Sequence, residues 1–111
     1  MHEMAITQSV VDAIVTRLGD AAVKTVRLEI GRLSGVVPDS VRFCFEVLCA
    51  GTSLEGARLD IAEPPGRARC RDCGEEFALD DFILLCPCGS ADVAVLAGRE
   101  LRITSVEVGH V

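Results

Sequence analysis

Cys70-Arg71-Asp72-Cys73 and, twelve residues on, Cys86-Pro87-Cys88-Gly89-Ser90 set four thiols in two tight clusters, each followed by a glycine. A short turn of this kind lets two sulfurs reach one ion, and the glycine lets backbone amides turn toward the thiolates. Two such turns bring four sulfurs onto a tetrahedron, which suits Zn²⁺ because its filled d shell imposes no other geometry. The second cluster is Cys-x-Cys, one residue shorter than usual, so its loop must be tighter, and Pro87 stiffens it. A closed four-sulfur site keeps no position open for substrate, so the expected task of the metal is to fold this loop and not to do chemistry. The thiols have three other readings. Two disulfides would require an oxidising compartment, an iron–sulfur cluster is also held by four cysteines, and the four could be unrelated buried residues. The paired spacing favours zinc.

Working outward, Pro64-Pro65-Gly66 on one side and Gly98 on the other bound an insert. Within it, Phe77, Leu79, Ile83 and Leu85 are expected to cover the metal site, and Val93 to Leu96 to form a short strand. Beyond it, Glu100 to Val108 reads as a long strand. Leu101 and Ile103 share one parity, Val106 and Val108 the other, so a bulge or bend is expected at Thr104-Ser105. Upstream, Ala57 to Glu63 alternates with Ala57, Leu59 and Ile61 inward. Lys24 to Ile30 alternates with Val26, Leu28 and Ile30 on one face and Arg27 and Glu29 on the other. Ile6, Val10, Ala13, Ile14 and Leu18 recur at three- and four-residue steps and predict an amphipathic helix from about Met4 to Leu18, stopped at Gly19-Asp20.

Pro38 suits the first turn of a second helix running to about Ala50, with Asp39 and Ser40 near its positive end. Its expected buried face is Val41, Phe45, Leu48 and Cys49, with Cys44 beside it. Cys44 and Cys49 lie about 140° apart around the helix and so do not converge on one metal; both read as small apolar core residues. The fold class is therefore α+β: a small three-stranded sheet with two helices on one face, carrying an inserted four-cysteine, zinc-ribbon-like subdomain. Residues 1–65 and 98–111 are expected to form the main α/β domain and 66–97 the insert.

With 111 residues, half of them apolar, the chain holds enough for one small core. A net charge of −6, a pI near 4.8, no Trp or Tyr and four Phe argue against a nucleic-acid partner, which would need a basic face and stacking aromatics. No signal peptide and no membrane span are read. The expected compartment is the reducing cytoplasm, where six cysteines stay as thiols or metal ligands. With only two His, His2 and His110, both near the ends, no nucleophile-and-base arrangement is found and no enzyme activity is expected. His110 reads as an exposed tail residue.

Met1-His2-Glu3, Gly31-Arg32-Leu33-Ser34-Gly35-Val36 with Pro38, Phe45-Glu46, Gly51-Thr52, Glu55-Gly56-Ala57, the insert ending in Cys-Gly-Ser and Gly98-Arg99-Glu100-Leu101 together resemble the HypA/HybF hydrogenase maturation proteins. The resemblance spans nearly the whole chain. It implies a nickel metallochaperone that helps load Ni²⁺ into [NiFe] hydrogenase, with Ni(II) as transient cargo at the N-terminus and a separate structural zinc. It implies a HypB-type GTPase and the hydrogenase large subunit precursor as partners. By motif, His2 matches the nickel ligand, Glu3 is its companion, and Cys70, Cys73, Cys86 and Cys88 match the zinc ligands. The departure is the Cys-x-Cys knuckle, where the family usually has Cys-Pro-x-Cys.

The N-terminal chemistry is compatible with this. A His at position two offers its imidazole together with the Met1 amine and its own backbone nitrogen, in adjoining chelate rings that favour a planar arrangement suited to Ni(II) or Cu(II). Copper wins on raw affinity, so selection for nickel must come from supply and handover. The alternative reading is a zinc-ribbon adaptor that binds only proteins. The sequence leaves the oligomeric state open, a homodimer included, as well as the hydrogenase served and any part in urease maturation.

Overall fold

The structure is a computed structural model and describes residues 2–109. Helix α1 (Glu3–Leu18) is followed by strand β1 (Val23–Ile30), helix α2 (Pro38–Cys49) and strand β2 (Arg58–Ala62). Strands β3 (Gly66–Cys70), β4 (Glu76–Leu79) and β5 (Val93–Ala97) make up the insert, and β6 (Leu101–Val108) returns to the first sheet. Among the described residues there are two three-stranded sheets, ordered β2-β1-β6 and β4-β3-β5. The α+β class with a cysteine insert is as expected; the second sheet adds β3 and β4 to the short strand expected at Val93 to Leu96. Strands β3 and β4 are short; β3 is built from small and charged residues, so its alternation, Ala68 and Cys70 in and Arg67 and Arg69 out, is faint in sequence, and β4 offers only Phe77 and Leu79 over four residues. Neither helix is long and apolar enough to cross a membrane.

In the first sheet β1 and β2 are parallel, joined over α2, and β1 and β6 are antiparallel. Val26, Leu28 and Ile30 are buried to 3% exposure or less and pack with Val41 and Phe45 of α2. Leu54, fully buried in the loop after α2, completes this core. The expected break in β6 is present. Arg27 pairs with Ser105 and Leu28 with Ile103, so Thr104 is an extra residue. Its hydroxyl donates to the Arg27 carbonyl at 3.2 Å. The bulge restores parity: Ile103 and Val106 both reach the core, on either side of it.

Helix α1 differs from its sequence reading. Its buried residues are Glu3, Thr7, Val11 and Ile14, whereas Ile6, Val10 and Leu18 are half-buried and Ala13 is exposed. The helix leans on α2 instead of sitting squarely on the sheet, which turns its buried stripe by about one residue. Thr7 tolerates full burial because its hydroxyl donates to the Glu3 carbonyl at 2.7 Å.

The molecule is elongated, 56 × 25 × 18 Å. Its radius of gyration of 17.3 Å exceeds the about 13 Å of a compact chain this long, because the two sheets lie end to end. The junction is made by close backbone approach. A Cβ on Gly31 would stand 2.0 Å from the Gly98 carbonyl oxygen, and one on Gly66 2.5 Å from a Leu33 methyl. Leu33, from the loop between β1 and α2, is buried with Ala68 and Leu79 in the core of the insert. Its N–H donates to the Gly98 carbonyl at 2.7 Å, the Arg32 N–H donates to Pro64, and the Arg32 guanidinium meets Asp80 at 3.4 Å.

Candidate metal centre

The first cysteine turn begins where β3 ends. Cys70 is fully buried, and its carbonyl accepts from the Gly74 N–H, with Gly74 at φ 79°. Within the turn the Cys73 N–H points at the Cys70 sulfur, 3.5 Å away, and the left-handed glycine that follows turns the Glu75 N–H toward the Cys73 sulfur. The shorter second turn reaches the same result. Gly89, at φ 98°, donates its N–H to the Cys86 carbonyl, and the Cys88 N–H donates to the Cys86 sulfur at 3.4 Å. The two turns are joined outside the sulfurs by the Ser90 hydroxyl donating to Asp72, and Arg71 meets Asp92 at 2.8 Å. No sequence pattern singled out Asp72 or Asp92.

The four sulfurs converge. Cys70 Sγ lies 3.7 Å from Cys88 Sγ and Cys73 Sγ 3.6 Å from Cys86 Sγ, and all four lie within 4.8 Å of one another. A tetrahedral ion with metal–sulfur bonds of about 2.3 Å holds its sulfurs about 3.75 Å apart, so the donor set fits one ion of that size. All six cysteines are thiols rather than disulfides. Four sulfurs this close leave room for a single ion and not for a multi-iron cluster between them.

Their protonation points the same way. The Cys73 N–H holds the Cys70 thiol down to about 7. At Cys86 the Cys88 N–H favours the thiolate, but burial and the neighbouring sulfurs outweigh it and push the thiol up to about 12. Cys73 is also raised: the Glu75 N–H favours its thiolate but is outweighed by burial and the sulfurs of Cys70 and Cys88. Four thiolates crowd one another, and a divalent cation removes that repulsion as it displaces the protons.

Leu79 is buried and Phe77 half-buried in a cluster with Leu33 and Ala68; Leu79 lies opposite Gly66, at the end of β3 away from Cys70, and Phe77 opposite Ala68. Ile83 and Leu85 do not cover the metal site: they are 67% and 49% exposed. Their loop faces solvent, and the apolar cluster of the insert is completed by Leu33, which arrives from outside it and packs with Ala68 and Leu79 next to Gly66 and Gly98. Cys44 and Cys49 are buried core residues of α2, and desolvation pushes the Cys49 thiol up to about 11.

At the other end of the chain, His2 is exposed at the start of α1, where its carbonyl accepts the Ile6 N–H at 3.0 Å. Glu3, 8% exposed, turns back to the loop before α2, and its Oε2 accepts the Val37 N–H at 3.2 Å. That hydrogen bond, opposed by burial, holds the carboxyl below its ordinary value. Met1 and His110 lie outside the described residues. Among the described residues, the cysteine set is the group of three or more candidate ligands that converges.

A family model described as hydrogenase/urease nickel incorporation, metallochaperone, hypA matches residues 1–108. The chain is 47% identical over its whole length to the hydrogenase maturation factor HypA of Nostoc sp. (strain PCC 7120), covering 98% of that protein. It is 52% identical over 97% of its length to that of Geotalea uraniireducens, covering 99% of it. Two solution structures share the fold at a TM-score of 0.64. The Ni metallochaperone HypA from Helicobacter pylori is 24% identical, with 97% of each chain covered. A further HypA protein is 26% identical, with 97% of this chain and 96% of that one covered. Two helices, a mixed sheet, a four-thiol insert and a match running from the first residue through β6 place this chain in the HypA family of nickel-incorporation maturation factors, which are metallochaperones and not enzymes.

Proposed function

We propose that this chain carries Ni(II) at its N-terminus during maturation of [NiFe] hydrogenase and holds a separate structural Zn²⁺ at Cys70, Cys73, Cys86 and Cys88. The observation that carries the reading is the family match over residues 1–108, which includes both His2 and the four thiols. The zinc assignment is supported by the sulfur spacing and by the closed, all-thiol donor set.

In this reading nickel is cargo, bound through the Met1 amine, the His2 imidazole and the His2 backbone nitrogen. The exposure of His2 suits a metal that must be received and given up. Glu3 tunes the site from behind, because its carboxylate ties the first turn of α1 to the loop before α2. The nickel is handed to a hydrogenase large subunit precursor, with a HypB-type GTPase taking part, in the cytoplasm. Residues 1–65 and 98–111 act as the nickel-carrying unit, with 66–97 as the zinc-bearing insert.

Metal titration tests the reading. Any residue placed before Met1 turns its amine into an amide and removes one chelate ring while leaving every side chain in place. A Gly-Ser extension should therefore weaken Ni(II) binding about as much as His2→Ala does, with zinc content unchanged. Binding should also weaken as pH falls below neutral, since the amine and the imidazole must give up protons to the metal. An extended protein that bound nickel as tightly as the native chain would remove the amine from the site.

A further inference from the structure

Each of the two thiol turns is closed by its own backbone. In the first, the Gly74 N–H donates to the Cys70 carbonyl and the Cys70 N–H to the Glu75 carbonyl, both at 2.9 Å. In the second, the Cys86 N–H donates to the Ser90 carbonyl and the Gly89 N–H to the Cys86 carbonyl, both at 2.8 Å. A turn closed in this way sets its own two sulfurs. It does not set them against the other pair, yet the short sulfur contacts run between the turns, Cys70 to Cys88 and Cys73 to Cys86.

Backbone joins the turns only at their base. The ladder of β3 and β5 ends at Cys70 and Val93, and the Arg71 N–H adds one bond to the Asp92 carbonyl at 2.9 Å. Farther out, no backbone hydrogen bond among the described residues joins residues 72–74 to residues 86–90. Side chains span that gap. The Ser90 hydroxyl accepts the Asp92 N–H at 3.1 Å and donates to the Asp72 carboxylate. A hydroxyl bonded to a carboxylate makes a charge-assisted bond, roughly twice as strong as a neutral one. Arg71 and Asp92 also meet, but both side chains are 58% exposed, and the pair repeats a contact that backbone already makes, so its share is small.

We propose that Asp72 and Ser90 form a clasp that holds the two thiol turns at the spacing one metal ion needs and slows the loss of that ion. The proposal rests on the reading of the four thiols as a metal site. Both are positioning residues: they bond to each other across the turns, and the sulfurs are the metal ligands. Four thiolates repel one another, and without the clasp they would spread the turns where no backbone bond resists. With it, the ligands are ordered in advance, and preorganisation of this kind strengthens binding without any new contact to the ion.

The short second turn raises the importance of the clasp. The first turn aims an N–H at each of its sulfurs, Cys73 N–H at Cys70 and Glu75 N–H at Cys73. The second aims one, the Cys88 N–H at Cys86, and among the described residues none points at the Cys88 sulfur. Cys88 is also exposed. Its position therefore follows from where Ser90, two residues on, is held.

Release of zinc from the purified full chain to an excess of a chromophoric chelator tests the proposal. Ser90→Ala and Asp72→Ala should each release zinc about tenfold faster than wild type, the lower end of what residues supporting metal ligands contribute. Ser90→Thr keeps the hydroxyl and Asp72→Asn keeps an acceptor, so both should stay near the wild-type rate. The double variant Asp72→Ala/Ser90→Ala should release zinc no faster than either single one, because the same bond is lost in all three. Glu75→Gln removes an exposed charge next to the first turn whose side chain serves no hydrogen bond, and it should leave the rate unchanged. Titration of the metal-free proteins with Co²⁺ gives a second readout: Ser90→Ala should need about tenfold more free Co²⁺ to develop the visible bands of a tetrahedral thiolate site. Unchanged amide exchange in β1 would show that the variants are folded. Equal release rates in wild type, Ser90→Ala and Asp72→Ala overturn the clasp and leave the metal reading standing. So does a double variant whose losses add, or a Ser90→Thr as fast as Ser90→Ala. A wild type that takes up neither zinc nor cobalt on its sulfurs overturns the metal reading and the clasp with it.

Discussion

Leu33→Ala isolates the contact that docks the insert on the main sheet. Leu33 is 5% exposed and packs with Ala68 and Leu79, with Phe77, Val93 and Val95 half-buried around them. Buried Leu→Ala changes cost about 2–5 kcal/mol, the lost transfer free energy plus a cavity that the surroundings only partly fill. This cluster is small and lies near the surface, so it can relax, and the cost should fall near the lower end, about 2 kcal/mol. The loss should appear as local opening of the junction and not as global unfolding, because the main core around Val26, Leu28 and Phe45 makes no use of Leu33. About 2 kcal/mol corresponds to an opening roughly thirtyfold more frequent. Amide exchange reads it at two reporters, the Arg32 N–H bonded to Pro64 and the Leu33 N–H bonded to Gly98. Both should exchange roughly thirtyfold faster in the variant, while central β1 amides keep their rates. Unchanged rates at Arg32 and Leu33 with faster exchange in β1 would refute the reasoning, since Leu33 would then support the main core and not the junction.

Gly31→Ala should be more damaging than Leu33→Ala, because the added methyl would meet the Gly98 carbonyl 2.0 Å away and backbone cannot step aside cheaply; thermal unfolding compares the two. Purified protein should hold about one Zn²⁺ in an all-sulfur site, and Cys88→Ser should loosen the insert while circular dichroism and exchange show the first sheet intact. Nitrogen or oxygen in the first shell by X-ray absorption would count against the four-cysteine assignment. Glu3 is held below its ordinary carboxyl value of 4.5 by the Val37 N–H, so its stabilising bond is present above that value and lost as pH falls through the lowered one. Glu3→Gln should therefore be less stable than wild type near neutral pH, and the gap should close in acid; urea midpoints at both ends measure it. If the docked loop links the two metals, nickel titrations of Cys73→Ser and wild type should differ, and identical curves would show the sites to be independent.

Local patterns determined much of this protein. Alternation at Val26, Leu28 and Ile30, the Pro38 start and Gly19 stop, the parity break at Thr104 and the paired thiols each record a constraint within a few residues, and each is legible because strand, turn and chelate geometry act at that range. The converging thiols belong to the same class at the level of each turn, while the Ser90–Asp72 and Arg71–Asp92 contacts join the two turns. What tertiary structure alone decided involves partners far apart in the chain. Leu33 and Leu54 sit in loops with no periodicity, yet one is the core plug of the insert and the other is fully buried in the core beside α2. Ile83 and Leu85 are as apolar as Leu79, but the path of their loop leaves them in water. Glu3 lies in a motif that pointed to nickel, while its carboxylate is aimed by the position of Val37, thirty-four residues away. The stripe of α1 that is buried depends on whether the helix rests on α2 or on the sheet, and a helix with apolar residues on two adjacent faces carries no mark of which it will use. Burial is a property of the neighbour as much as of the residue, and the neighbour is supplied by the fold.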